Sequence, residues 1–122
     1  MIKITLSTKD FVLLVKGHAQ PEETELYRET CAAASMLAQA LAYSISKFQE
    51  QQNGILQVDY RDEPGDMLLL VVPEKWAEAT VRKRFRAYGD GLELLAQSNP
   101  ESVQMEWNGK PVKPEEGEQE HE

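Results

Sequence analysis

The sequence predicts an α+β fold: a two-layer β-β-α-β-β-α sandwich, two helices on a mixed sheet, with a possible short C-terminal edge strand. Three observations carry this. Apolar residues alternate in period two at Ile2, Ile4 and Leu6 and again at Leu56, Val58 and Tyr60. Each alternating run is followed by a continuous apolar one, FVLLV at 11–15 and MLLLVV at 67–72. Each such pair then gives way to a segment whose apolar residues recur at three- and four-residue steps, the signature of a helix packed on one side.

The elements follow in order. Ile2, Ile4 and Leu6 between Lys3 and Thr5 mark a half-buried strand, and residues 7 to 10 turn the chain into FVLLV, an inner strand ending at Lys16-Gly17. A helix of about twenty residues carries Ala34, Leu37, Leu41, Ile45 and Phe48 inward and stops at Asn53-Gly54. Its alanines favour helix and give it a thin profile. The 56–61 alternation and MLLLVV, joined by DEPGD, make a second hairpin, with MLLLVV expected to be buried on both faces. After Pro73 a second helix turns Trp76, Val81, Phe85, Tyr88, Leu92 and Leu95 inward and closes at Asn99-Pro100. Gly89 and Gly91 inside it each cost about 1 kcal/mol relative to alanine, which predicts a kink or a close contact with neighbouring backbone. VQMEW at 103–107 fits the short edge strand. The domain is expected over 1–108, and 109–122, without apolar pattern, as an acidic disordered tail.

The composition narrows the function. A length of 122 residues suits one domain. No run approaches a membrane span, and MIKITLSTKD lacks the pattern of a signal peptide, which predicts a cytoplasmic protein with no membrane partner. The net charge of −8 opposes binding of a phosphate backbone, so no direct nucleic-acid partner is expected. VRKRFR at 81–86 reads as a solvated helix face. One cysteine excludes an internal disulfide and leaves Cys31 a free thiol.

Chemistry concentrates in GHAQPEETELYRETCAAAS, residues 17–35, which holds Cys31 and His18. A thiol needs a helix N-terminus or a neighbouring cation to become a thiolate, and Thr30 as N-cap would place Cys31 in a first turn with free N–H donors able to hold an oxyanion. Pro21-Glu22-Glu23 is itself a helix start, however, and Leu26, Tyr27, Thr30 and Ala34 continue its spacing, which would place Cys31 inside the helix. Taken alone, Cys31 is equally a small buried hydrophobe and His18 a surface imidazole. A zinc site would need a further ligand from Glu22, Glu23 or Glu25, so no metal is expected.

GHA at 17–19 and CAAAS at 31–35, set between a hairpin and a helix, resemble the motif of the ribosomal-processing cysteine protease family, Prp. GLELLAQSNPESVQMEW, 91–107, is similar to that family's second helix and following strand. The resemblance implies a catalytic dyad of His18 and Cys31 and a helix opening at the cysteine. It assigns supporting positions to Ser35, one helical turn after the nucleophile, and to Gly17, Ala19 and Ala32. It implies a homodimer without metal or cofactor, and as substrate the N-terminal extension of a basic protein, large-subunit ribosomal protein twenty-seven. Members carry a glycine and then an aspartate three residues before the cysteine, followed by two apolar residues; at those last three positions this chain has Arg28, Glu29 and Thr30. The alternatives are a phage-related protease processing structural proteins, a non-catalytic dimeric module of the same fold, and a small-molecule binder using the apolar sheet face.

Overall fold

The structure, a computed structural model, describes residues 1–17, 25–63 and 65–114. Its elements run β1 (Ile2–Ser7), β2 (Val12–Lys16), α1 (Glu25–Gln52), β3 (Ile55–Glu63), β4 (Asp66–Pro73), a 3-10 turn (Lys75–Ala77), α2 (Glu78–Ser98), β5 (Val103–Trp107) and β6 (Lys110–Pro111). The six strands form one mixed sheet in the order β3-β4-β2-β1-β5-β6, with β1 and β5 parallel and the other neighbours antiparallel. Both expected hairpins are present, and so is the two-layer α+β architecture.

Both helices lie on one face of the sheet. Ile2, Ile4, Leu6, Leu13, Val15, Met67, Leu69 and Val71 project into the same core as Ala38, Leu41, Ile45, Phe48, Val81, Phe85 and Leu92. The strand period of two puts every second residue of β1, β2 and β4 under the helices. Those between them face the other way: Leu14, Leu68 and Leu70 are only half-buried and Val72 is exposed. MLLLVV is therefore covered on one face among the described residues, not on both as its continuous apolarity predicts. β3 is an edge strand with a bulge between Ile55 and Gln57, and its Leu56, Val58 and Tyr60 are exposed.

α1 is longer at its start than the twenty residues expected. Asn53 ends it in the left-handed region, at φ 54°, with its N–H donating to the Gln49 carbonyl at 3.0 Å. Two antiparallel registrations fix α2 against it: Arg84 Nη1 donates to Ser44 Oγ at 2.6 Å and to the Ser44 carbonyl at 3.1 Å, and Leu37 packs beside Gly91. Val81, Phe85 and Leu92 are fully buried in α2. Trp76 instead lies in the preceding turn, exposed at its rim but 6.2 Å from the Phe48 ring, while Tyr88 and Leu95 are half-buried. The basic run is also more than a solvated face. Arg82 Nε donates to the Thr8 carbonyl at 3.0 Å with its guanidinium over Phe11, and Arg84 lies over Phe48.

At Gly89 the close neighbours are side chains and not the backbone expected: a Cβ there would come within 2.6 Å of Leu6 Cδ2 and 2.8 Å of the Trp107 ring. β5 is the expected short strand, and β6 pairs along its outer edge. The fold continues past residue 108: the Val112 N–H donates to the Met105 carbonyl at 2.8 Å, and Val112 packs against the core. Residues 115–122 of the expected acidic tail lie outside the described residues. Among the described residues no helix is long and apolar enough to cross a membrane.

Candidate active site

The candidate residues fall at two places along the chain, the end of β2 and the N-terminal half of α1. Gly17 closes β2 at φ 83°, and its N–H donates to the Gly65 carbonyl at 2.9 Å. A Cβ at Gly17 would run into the Met1 carbonyl oxygen, so only glycine fits both the left-handed backbone and the packing. The chain leaves the described residues at His18 and re-enters as helix at Glu25; His18, Ala19, Glu22 and Glu23 lie outside them.

Cys31 is half-buried against the core. It is the seventh residue of α1, so the helix does not begin with Thr30 as N-cap. The physical reason is the local sequence. ELYRET at 25–30 holds no glycine or proline, and Thr30, 4% exposed, extends the inward stripe of Ala34, Ala38, Leu41 and Ile45 backward by one turn. Only the first four N–H groups of a helix lack intrahelical partners, and the field of the helix dipole fades within the first turn. The amide of Cys31 is thus engaged in the helix, and the oxyanion donors expected from a first turn are not at this residue.

The remaining positions separate by helical phase. Ser35 follows Cys31 by four residues on the same flank and is half-buried like it, whereas Ala32 points to solvent. That flank is turned toward β3. Two contacts show it: Gln39, four residues beyond Ser35, donates from Nε2 to Asp62 Oδ2 at 3.4 Å, and Gln49 Oε1 accepts the N–H of Ile55 at 2.9 Å. Tyr60 donates to the same Asp62 oxygen at 3.4 Å, and its hydroxyl pKa is raised, first by burial and then by the Asp62 charge and this hydrogen bond. Gln39, whose amide donates to that carboxylate, lies about 12 Å along the helix axis from Cys31, at 1.5 Å per residue. Sequence reasoning missed this trio. The four-residue steps from Cys31 to Ser35 to Gln39 were legible, but Asp62 and Tyr60 meet them only through the placing of the β3 edge. Among the described residues no group of three or more His, Cys, Asp or Glu is arranged to hold a metal ion.

The fold is a two-layer α+β domain whose first helix carries a half-buried thiol, Cys31, while Gly17 turns the chain at the end of β2. The fold is that of known proteins. Over 88% of this chain and 99% of theirs it matches two crystal structures of the essential ribosomal processing protease Prp from S. aureus, each at 14% identity. The one in complex with a substrate peptide superposes with a TM-score of 0.63, and the one with a covalently linked product peptide with 0.57. SMU.848 from Streptococcus mutans matches at 18% identity and a TM-score of 0.61, over 87% of this chain and 90% of its own. The chain thus has the fold of Prp, as the sequence motifs imply. No family model and no curated protein matches the sequence.

Proposed function

We propose that the chain is a cysteine endopeptidase that removes the N-terminal extension of large-subunit ribosomal protein twenty-seven in the cytoplasm, acting as a homodimer. Cys31 is the nucleophile and His18 the general base. The observation that carries this reading is the position of Cys31: a half-exposed thiol on the first helix of a domain that shares its fold, nearly end to end, with a peptide-cleaving enzyme.

In this mechanism His18 takes the thiol proton as the sulfur attacks the scissile carbonyl, and the tetrahedral intermediate collapses to a thioester as the proton passes to the leaving amine. Water, deprotonated by the same imidazole, then releases the acid and restores the thiol. Since the amide of Cys31 is held within α1, the donors for the oxyanion come from groups other than a first-turn N–H. Ser35, on the flank of Cys31, orients the thiol or the hydrolytic water. The −8 charge suits a basic substrate.

Incubation with full-length ribosomal protein twenty-seven, followed by mass spectrometry of the product N-terminus, tests the reading. Cleavage by the intact chain, lost in Cys31→Ala and His18→Ala, is the expected result; an intact substrate at stoichiometric enzyme refutes it. One observation favours a second reading, a non-catalytic dimeric module of the same fold: the lack of free helix N–H donors at Cys31. That reading requires no cleavage with the folded dimer retained.

A further inference from the structure

We infer that Asp62, with the exposed ring of Tyr60 beside it, binds a lysine or arginine side chain of the peptide substrate, about four residues from the scissile bond. The inference rests on the protease reading and names a part of the substrate which that reading leaves open. It starts from a gap between α1 and β3. Val58 and Tyr60 pair with Val71 and Leu69, whose side chains enter the core, so the alternation of the sheet turns all four to the helix side. Val71 and Leu69 are 1% and 2% exposed there, whereas Val58 and Tyr60 are 45% and 41% exposed. α1 meets β3 on either side of this pair, through Gln39 at Asp62 and Gln49 at Ile55, and leaves Val58 and Tyr60 uncovered between the two contacts. On the helix the three- and four-residue steps from Gln39 to Gln49 pass through Ala42 and Ser46, whose short side chains do not fill the gap. β3 is the outermost strand, so no further strand walls the cleft on its far side.

Asp62 is the charged group at one end of this cleft. Its Oδ2 accepts from Gln39 Nε2 and from the Tyr60 hydroxyl, each at 3.4 Å, which holds the carboxylate on the helix side and leaves Oδ1 without a donor among the described residues. Nor does Asp62 have an ion-pair partner among them. The basic neighbour Arg61 is 3.3 Å from Asp59, and both belong with Glu63 to the open face of the sheet, where no helix lies. An oriented carboxylate beside an exposed aromatic ring and an exposed valine suits a basic side chain, whose charged head meets the oxygen while its alkyl stem lies on apolar surface. An acidic side chain would be repelled and a neutral one would leave the carboxylate unpaired. The helix sets the distance. Gln39 stands two four-residue steps beyond Cys31, about 12 Å along the axis, and an extended peptide covers that length in about four residues at about 3.3 Å each. A substrate with its scissile carbonyl at Cys31, running along this flank of α1, therefore brings a side chain about four residues away over Asp62.

Binding and cleavage are read separately. The probe is a fluorescently labelled peptide spanning the junction between the extension and the mature part of ribosomal protein twenty-seven, with copies carrying lysine or glutamate at each position about three to five residues to either side. Fluorescence anisotropy measures their affinity for the Cys31→Ala chain. At one of these positions lysine is expected to bind about fivefold more tightly than glutamate, the upper range for an exposed ion pair. Asp62→Lys should reverse the preference and Asp62→Asn abolish it, while circular dichroism checks that both variants fold. A reversal is a result that general destabilisation does not produce. With Cys31 present, Asp62→Asn should raise KM for the lysine peptide more than it lowers kcat, because the contact lies away from the reacting bond. Equal affinity for lysine and glutamate at every position overturns the inference, as does a preference unchanged by Asp62→Lys, or no binding at all. Cleavage by the intact chain then leaves the protease reading standing. A charge preference that follows Asp62 without any cleavage refutes the protease reading and keeps the site for a basic side chain.

Discussion

At Cys31 the decisive quantity is helical phase. Six residues of helix precede it, so its thiol lies on a flank and not at a dipole end, and Ser35 and Gln39 continue that flank toward Asp62. Ala32, assigned with the others from the motif, is turned outward by the same 100° per residue, so Ala32→Ser is expected to leave cleavage within about twofold, measured as product formed per enzyme. Tyr60 gives a pH prediction. Its pKa is raised in the folded chain, so the folded state holds this proton more tightly than the unfolded one. The stabilisation is therefore present in full below the ordinary tyrosine pKa of about 10 and is lost as pH rises through the raised value. Tyr60→Phe should flatten the alkaline decline in urea-unfolding stability.

At the scale of elements, two glycines in α2 with the same helix propensity are expected to differ in sign. Alanine gains about 1 kcal/mol over glycine inside a helix. At Gly89 the new methyl meets Leu6 and Trp107 at under 3 Å, and overpacking of this kind costs about 1–3 kcal/mol. Gly89→Ala should destabilise the chain on balance. At Gly91 the nearest atom is Leu37 Cδ2 at 3.1 Å, the end of a flexible side chain on α1, so Gly91→Ala should be neutral or stabilising in the same denaturant titration. The two glycines were legible in sequence as interruptions, but their difference was not, because Leu6 and Trp107 lie far from Gly89 along the chain. Arg84 is a further element-scale contact: Ser44→Ala removes its 2.6 Å hydrogen bond between the helices and should cost about 1.5–3 kcal/mol, the range for a bond to a charged group.

For the whole molecule the core and the open face make separate demands. Phe85 is fully buried and stacks edge-on with Phe11 at 6.0 Å, joining α2 to the turn between β1 and β2. Phe85→Ala should cost about 3–5 kcal/mol and unfold a large fraction of the chain, read as the midpoint shift in denaturant. The layer order was legible because each helix pattern ends at a clear stop, Asn53-Gly54 and Asn99-Pro100, and each hairpin pairs an alternating run with a continuous one. The strand order was not. That β5 lies parallel to β1 and places β3 at an edge follows from long-range pairing, for which local pattern carries no record.

The sequence by itself determined the element types, the alternation of core and surface positions, and the motif pair GHA and CAAAS, since these depend on side chains only a few residues apart. Tertiary structure alone decided where α1 begins relative to Cys31, which flank Ser35 shares with Gln39 and Asp62, and that MLLLVV is covered on one face. The reason is common to all three. Each depends on which surface a segment meets, and burying Thr30 together with Ala34 against the sheet favours six more residues of helix over a cap at residue 30.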